Sequence, residues 1–85
     1  MNVIIWSKHN CSFCVKAKHL LTDRGINYEE RLIGNDWTKE QLLEMVPEAR
    51  SVPQIVIDEN VIGGYNDLIK YLNTLDIPNT FLKRN

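Results

Sequence analysis

Two cysteines separated by two residues, Cys11 and Cys14, are the side chains of this sequence best suited to chemistry. The chain has no other cysteine, so no wider framework of disulfides is available. A bridge between them would close a very short loop, which in the chain-entropy model stabilises a fold by only about 2 kcal/mol. We therefore predict that the pair takes part in a reaction and does not serve to staple the chain.

Cys11 stands at a junction that favours a thiolate. It follows an apolar segment, residues 3–6, that is typical of a strand buried on both faces, and it precedes a helical pattern. Sites in open α/β sheets gather at such strand ends, and a helix N-terminus lowers a thiol pKa from about 8.5 to roughly 3.5–7.5. Lys8, three residues earlier, adds a positive charge. Cys11 is therefore predicted to be an exposed thiolate and the attacking sulfur.

Cys14 falls one helical turn later, on an apolar face that it shares with Ala17, Leu20 and Leu21. Residues three apart in a first helical turn bring their Cα atoms within the range of a disulfide. We therefore predict that Cys14 is the recessed sulfur of the pair and that it resolves the intermediate formed on Cys11.

Two other roles for the cysteines stay open at this point. They could be half of a zinc site, which needs two more ligands; His9 is adjacent, whereas His19 lies more than one turn along the helix and points outward. They could also be inert core residues, although such cysteines would suit the middle of an element better than a junction. A C-x-x-C on a strand–helix–strand unit favours thiol–disulfide exchange over both.

The elements that position this pair alternate in the order β-α-β-α-β-β-α. The first strand, helix and second strand form a parallel, right-handed unit, and the last two strands form an antiparallel hairpin because only three residues separate them. We predict one α/β domain over residues 1–77, with a four-stranded mixed sheet flanked by helices. Pro78 is predicted to end the third helix, which leaves a tail at 78–85 whose Phe81 and Leu82 could dock. The predicted strands are residues 3–6, 26–32, 55–57 and 61–62, and the predicted helices begin at Cys11, Thr38 and Asn66.

Most of the other large or charged side chains are assigned structural roles. Thr38 and Gln41 form a capping box, and Trp37 before it is predicted to pack as a hydrophobic staple against Leu42. The side chains predicted to lie in the core are Trp6, Tyr28 and Leu42. The side chains predicted to form a solvated basic helix face, able to orient an acidic protein partner, are Lys16, Lys18 and Arg24.

The composition excludes several functional classes. The chain has 85 residues, 44% of them hydrophobic and 25% charged, which suits one small folded domain. Its 10 Lys and Arg residues against 11 Asp and Glu give a net charge of −1, which argues against a nucleic-acid partner held by a basic field. No apolar run reaches the roughly 18 residues of a membrane span, and no secretory signal is recognised, so a cytoplasmic protein is expected.

Three motifs, in this order and spacing, make the sequence resemble the glutaredoxins from Asn2 to about Leu75. The resemblance implies a thioredoxin-like fold, glutathione as co-substrate, and reduction of protein disulfides and of protein–glutathione mixed disulfides. A monomer without a tightly bound cofactor is expected, and ribonucleotide reductase is a family-level candidate for the protein partner. The motifs are Cys11-Ser12-Phe13-Cys14, Ser51-Val52-Pro53 and Gly63-Gly64-Tyr65-Asn66-Asp67.

The resemblance also implies where glutathione binds. A cis Val52–Pro53 bond next to Cys11 would leave the Val52 backbone free to pair with an extended peptide, although Pro53 could also simply start a strand. The glycine pair ending at Gly64 allows close backbone approach, and the helix N-terminus beyond it suits a carboxylate. Asp67 would take the ammonium of the same γ-glutamyl group. The other interpretation of the glycine pair is a hairpin-to-helix turn.

Two cations complete the predicted glutathione site. Lys8 and Arg50 are candidates for binding the glycyl carboxylate, and each could instead be a solvated surface charge. Phe13 is expected at the rim of the groove. The residues predicted to bind glutathione are Lys8, Phe13, Arg50, Val52, Pro53, Gly64, Tyr65, Asn66 and Asp67.

The motif between the cysteines departs from the commonest family pattern. Ser12 and Phe13 stand where a Pro and a Tyr are usual, so the helix start gains a backbone N–H and the groove lacks a phenolic hydroxyl. Some glutaredoxins without that Pro resemble iron–sulfur carriers, which hold a [2Fe–2S] cluster between two subunits through the first cysteine and glutathione. The second hypothesis is therefore a cluster-binding dimer with Cys11 as the metal ligand.

Overall fold

The computed structural model describes residues 1–83, with side chains described for residues 1–74. Its elements follow the predicted order β-α-β-α-β-β-α. None of the helices within the described residues is long and apolar enough to cross a membrane. The elements are β1 (Val3–Lys8), α1 (Ser12–Asp23), β2 (Glu29–Ile33), α2 (Lys39–Met45), β3 (Gln54–Ile57), β4 (Asn60–Gly63) and α3 (Tyr65–Lys83).

The four strands form one mixed sheet in the order β2-β1-β3-β4. β1 pairs in parallel with β2, with Ile5 opposite Glu30, and antiparallel with β3, with Ile5 opposite Ile55. β3 and β4 form the predicted antiparallel hairpin. The predicted parallel unit and the predicted hairpin are both confirmed. Because β1 is hydrogen-bonded on both edges, the residues that follow it leave from the centre of the sheet.

Alternating side chains of β1 enter two separate cores. Val3 and Ile5 face one side of the sheet, where α1 and α3 pack, and Ile4 and Trp6 face the other, where α2 packs. Each fully buried side chain of this size stabilises the fold by about 1.5–3 kcal/mol. The buried partners on the first side are Ala17, Leu21, Ile55, Ile57, Leu68 and Leu72. Those on the second side are Leu42, Val46 and Val56.

The second strand begins later than predicted. Pairing with β1 starts at Glu29, so Ile26 and Tyr28 precede the strand and pack, partly buried, against the core between α1 and the sheet. β2 lies at the edge of the sheet, and its first two residues are both exposed. The expectation that Trp6 and Leu42 are buried is confirmed, and Tyr28 is only partly buried.

The capping box at the second helix is confirmed. The Gln41 N–H donates to Thr38 Oγ1 at 3.1 Å, and the Thr38 N–H donates to Gln41 Oε1 at 2.8 Å. Trp37 packs against the core cluster that contains Leu42, and its ring meets the Trp6 ring edge-on at 5.3 Å between centroids. The Arg31 guanidinium covers Trp37 at 4.2 Å from the ring centroid, a contact that the predicted staple did not include.

The predicted end of the third helix at Pro78 is wrong, because α3 continues to Lys83. A proline inside a helix removes the one hydrogen bond that its N–H would donate, while the hydrogen bonds on either side can persist. The side chains of Phe81 and Leu82, which were expected to dock, lie outside those described. The division into a domain at 1–77 and a tail at 78–85 stays a prediction.

Candidate active site

The central strand brings the cysteine pair to the edge of the sheet. Beyond Lys8, the last residue of β1, Asn10 adopts a left-handed backbone conformation (φ 57°), which asparagine tolerates better than most residues. Cys11 is the N-cap of α1, and its Sγ accepts a hydrogen bond from the Cys14 N–H at 3.1 Å. Sulfur thus occupies the place of the usual capping oxygen. It faces the free N–H groups of the first turn, which favour negative charge there.

The two sulfurs are joined in a disulfide, so the geometry is that of the oxidised form. The Cα atoms of Cys11 and Cys14 are 5.2 Å apart, which confirms that the spacing suits a bridge. Cys14 is 1% exposed, whereas Cys11 is partly exposed. A sulfur compound arriving from solvent therefore reaches Cys11 first, as the predicted division of roles requires.

The loop before β3 lies against the first cysteine. The Val52–Pro53 peptide bond is cis, as the resemblance implied. The Val52 carbonyl oxygen lies 3.8 Å from Cys11 Sγ, and Pro53 is buried where β3 begins. The Val52 backbone is therefore next to the atom that would carry a bound thiol compound.

A groove of about 240 Å³, named here the Val52 groove, lies beside this loop. The centroids of the Phe13 and Tyr65 rings lie 5.8 Å apart. Phe13 is 52% exposed and lies at the rim, as predicted. The groove brings together residues from three parts of the sequence that were predicted to bind one ligand. It is lined by Phe13, Ser51, Val52, Pro53, Gly64, Tyr65, Asn66 and Asp67.

Asp67 has a structural role that sequence reasoning missed. Its Oδ2 accepts a hydrogen bond from the Gly64 N–H at 3.1 Å, so the carboxylate caps α3. Gly63 has φ 119°, and a Cβ at this position would collide with that carboxylate. The spacing of three residues between Gly64 and Asp67 is that of a capping box and could have signalled the contact. Both the close approach of Asp67 and the positive φ therefore favour glycine at position 63.

The two predicted cations lie outside the Val52 groove. Lys8 and Arg50 line an adjoining cavity of about 460 Å³, of which Val52 is also a lining residue. Lys39, which sequence reasoning missed, lines the same cavity at the first position of α2. The capping box at Thr38 fixes where α2 begins and could have located it. The adjoining cavity thus holds three cationic side chains against a mostly apolar wall.

A third cavity, of about 660 Å³, adjoins the cysteine pair, and two members of a cluster of three polar side chains line it. Glu30 Oε2 accepts a hydrogen bond from Ser7 Oγ at 2.6 Å and one from Lys18 Nζ at 2.8 Å. We name Ser7, Lys18 and Glu30 the charge cluster. Hydrogen bonds from Lys18 first, and then from Ser7, hold the pKa of Glu30 below its usual value. Cys11, Cys14, Lys18 and Glu30 all line the cavity.

The charge cluster corrects the prediction of a solvated basic face for Lys18, whereas Lys16 and Arg24 are exposed. Lys18 forms an ion pair with Glu30, near the start of β2, and is only partly exposed. Lys16 Nζ lies 5.0 Å from the centroid of the Phe13 ring. Among the residues that the structure describes, no group of three or more His, Cys, Asp and Glu side chains could hold a metal ion. The zinc site left open above therefore has no ligand set there.

Comparison with known proteins identifies this arrangement. A sequence model described as Glutaredoxin matches residues 3–62. The chain is 40% identical over 68 residues to glutaredoxin 3 of Escherichia coli K12, covering 79% of this chain and 81% of that protein. It is 41% identical over 70 residues to the hybrid peroxiredoxin hyPrx5 of Haemophilus influenzae, which corresponds to 82% of this chain and only 29% of that protein's length.

The fold agrees with a solved structure of the same kind. Reduced Escherichia coli glutaredoxin superimposes with a TM-score of 0.73 at 31% sequence identity, covering 87% of this chain and 95% of that one. The predicted α/β architecture with a four-stranded mixed sheet is therefore the thioredoxin-like fold that the resemblance implied.

Proposed function

This chain belongs to the glutaredoxin family of thiol–disulfide oxidoreductases, and from that premise we propose that it uses glutathione as its reductant. Its substrates are protein disulfides and protein–glutathione mixed disulfides. One observation carries the proposal. Cys11 Sγ, which caps α1, lies 3.8 Å from the Val52 carbonyl oxygen, and Val52 lines a groove whose far wall is the N-terminus of α3. A sulfur compound bound covalently to Cys11 would therefore have its peptide part within reach of that groove.

The reaction begins at Cys11. Its thiolate attacks one sulfur of the substrate disulfide, the substrate S–S bond breaks, and the departing thiolate takes a proton from solvent. The mixed disulfide on Cys11 is then broken in one of two ways. Cys14 attacks Cys11 Sγ, forms the intramolecular bridge and releases the bound thiol, or, when the bound thiol is glutathione, a second glutathione thiolate attacks it, forms glutathione disulfide and releases the Cys11 thiolate. Two glutathione molecules restore the Cys11–Cys14 dithiol from the bridge and leave as glutathione disulfide.

The lining of the Val52 groove suits the γ-glutamyl end of glutathione. That end carries one carboxylate and one ammonium group. The N–H groups at the start of α3 suit the carboxylate, and the Asp67 carboxylate suits the ammonium. The Val52 backbone can pair with the cysteinyl residue as one strand pairs with another. Lys8, Lys39 and Arg50 in the adjoining cavity then bind the glycyl carboxylate.

The setting of the reaction follows from the same premise. The protein works as a cytoplasmic monomer, and its macromolecular partners are disulfide-containing or glutathionylated proteins. Ribonucleotide reductase is one family-level candidate, because enzymes that end each cycle with a disulfide need such a donor.

A glutathione-coupled reduction of a small mixed disulfide tests the proposal. The wild-type chain should turn over, Cys11→Ser should have no activity, and Cys14→Ser should keep part of it, because glutathione alone can resolve the intermediate on Cys11. The reverse outcome, an inactive Cys14→Ser and an active Cys11→Ser, would exchange the two roles. A wild-type protein reduced by dithiothreitol but not by glutathione would remove glutathione from the proposal.

A bound cluster would need ligands beyond those of one chain. Cys14 is buried, so one chain offers a cluster a single accessible thiolate, and the other ligands would have to come from glutathione and a second copy. No observation on the described residues favours that assembly over the enzyme, and no reaction step is derived through a cluster. Anaerobic purification distinguishes the two, since a brown dimer supports the carrier and a colourless monomer supports the enzyme.

A further inference from the structure

The charge cluster takes no part in the chemistry described so far, although it shares a cavity with both sulfurs. Lys18 follows Cys14 by four residues on α1. Side chains at that spacing lie on one face of a helix, with Cβ atoms about 5–6 Å apart. A change of charge at Lys18 or at its partner Glu30 is therefore close enough to alter the stability of a thiolate in the pair.

Ser7 fixes the position of this ion pair. Its side chain is fully buried on β1, four residues before Cys11, and its hydroxyl donates to Glu30 Oε2 at 2.6 Å. The same oxygen accepts from Lys18 Nζ at 2.8 Å. Because Ser7 belongs to the strand that leads to the active site, the Glu30 carboxylate is held at a fixed place relative to the cysteines. Lys8 and His9 are the other basic side chains lining the cavity.

We propose that Lys18 and Glu30 set the balance between the dithiol and disulfide forms of the Cys11–Cys14 pair, and that Ser7 is the positioning residue that holds Glu30. This inference rests on the redox function proposed above. Reduction of the bridge adds two electrons, breaks the S–S bond and takes up two protons, one of which is released again when Cys11 ionises. The reduced pair is then more negative than the disulfide, so nearby positive charge favours the dithiol form and nearby negative charge favours the disulfide.

The two members of the ion pair therefore have opposite effects. Glu30→Gln removes a negative charge and should shift the equilibrium toward the dithiol, whereas Lys18→Met removes a positive charge and should shift it toward the disulfide. The double variant should lie near the wild type, because the two changes cancel. A purely structural role would not give shifts of opposite sign.

The test is a redox titration of the full chain at neutral pH. Protein is equilibrated in buffers that vary the ratio of reduced to oxidised glutathione, and in parallel in buffers that vary the ratio of reduced to oxidised dithiothreitol. Free thiols are then alkylated, and mass spectrometry gives the fraction of protein that holds the disulfide. Glu30→Gln should raise the equilibrium constant for reduction about three- to tenfold, allowing for partial solvent screening; tenfold corresponds to about 30 mV. Lys18→Met should lower it about threefold, and Ser7→Ala should shift it in the direction of Glu30→Gln but less.

Two matched controls separate local from overall charge. Glu29→Gln removes the same charge one residue away, where the carboxylate pairs with Arg31 at 2.8 Å. Lys70→Met removes an exposed cation on α3. Each should change the equilibrium constant less than twofold. Shifts of the same sign in Glu30→Gln and Lys18→Met, or shifts no larger than those of the controls, would overturn the inference.

The parallel buffers keep this inference separate from the choice of reductant. If the wild type equilibrates with dithiothreitol but not with glutathione, glutathione is the wrong reductant, and the signs of the two shifts in dithiothreitol still decide the role of the ion pair. Circular dichroism of each variant shows whether a shift comes from a folded protein.

Discussion

The Val52 groove and the charge cluster lie on two sides of the same cysteine pair and are built by different physical means. The groove is built from backbone features: a cis peptide bond at Pro53, a left-handed glycine at Gly63 and a helix N-terminus capped by Asp67. The charge cluster is built from side chains that β1, α1 and β2 bring together. A backbone site gives a fixed shape for recognition, whereas a side-chain ion pair can be retuned by one substitution without rebuilding the chain.

The largest expected effect is on the backbone side of this comparison, with Gly63→Ala. The new methyl group would collide with the Asp67 carboxylate and would hold an L-residue at φ 119°. We expect unfolding free energy to fall by about 1–3 kcal/mol, measured by urea denaturation, and the KM for glutathione to rise at least tenfold, measured in the coupled assay.

Gly25→Ala is the matched control for this variant. Gly25 also has a positive φ, 71°, but a Cβ there meets nothing within 4 Å. It should lose stability by about 1 kcal/mol and keep its KM. An equal rise in KM for both variants would show that the groove is not sensitive to the contact between Gly63 and Asp67.

A smaller effect is expected when the charge of Asp67 is separated from its capping role. Asp67→Asn keeps an oxygen that can accept from the Gly64 N–H but cannot form an ion pair with an ammonium. The KM for glutathione should rise about fivefold, since an ion pair made by an exposed carboxylate contributes up to about 1 kcal/mol, while Tm changes little. Asp67→Ala should lower Tm as well. If Asp67→Asn had the wild-type KM, the carboxylate would serve only as a helix cap.

The cations of the adjoining cavity should contribute less again. Lys39→Met removes an exposed ammonium from that cavity, and exposed ion pairs contribute about 0–1 kcal/mol. The KM for glutathione should therefore rise about two- to threefold and depend less on ionic strength than in the wild type. Lys70→Met is the control and should match the wild type at every salt concentration. If Lys39→Met also had the wild-type KM at every salt concentration, Lys39 would not belong to the glutathione site.

The smallest expected effect concerns Glu30 of the charge cluster and the pH dependence of stability. The depressed pKa of Glu30 means that its carboxylate stabilises the fold at pH values above its unfolded-state value of 4.5, and that this contribution is lost as pH falls through the lower folded-state value. Glu30→Gln should therefore lose less stability on acidification than the wild type, by about 0.5–1 kcal/mol. Urea denaturation at neutral and acidic pH measures the difference. The unfolding free energy of Glu29→Gln should depend on pH more nearly as that of the wild type does than that of Glu30→Gln.

The same contrast explains which parts of the molecule could be predicted from sequence. The residues of the Val52 groove could be named because Pro53, Gly64 and Asp67 lie in short motifs that carry the resemblance to the glutaredoxins. The ion pair between Lys18 and Glu30 was not, because the two residues are far apart in sequence and each looks like an ordinary surface charge. Their contact depends on where the fold places α1 relative to β2, which no local pattern specifies.

Errors in the predicted elements have similar causes. The start of β2 was misplaced because Tyr28 is apolar and packs on the core without pairing in the sheet. The end of α3 was misplaced because a proline inside a helix, which loses one hydrogen bond and crowds the preceding turn, can kink the helix without ending it. The first strand and the capping box at Thr38 were predicted well, since continuous burial and capping both leave direct marks in sequence.

The position of β1 between two neighbouring strands also bears on dynamics. Each of its paired amides donates to one neighbour, β2 or β3, so exchange with deuterium requires the central strand to lose pairing on at least one edge, and we expect these amides to exchange slowly. The turn that carries Cys11 follows directly from this strand. Repeated oxidation and reduction can then proceed at the end of a strand that stays closed throughout the cycle.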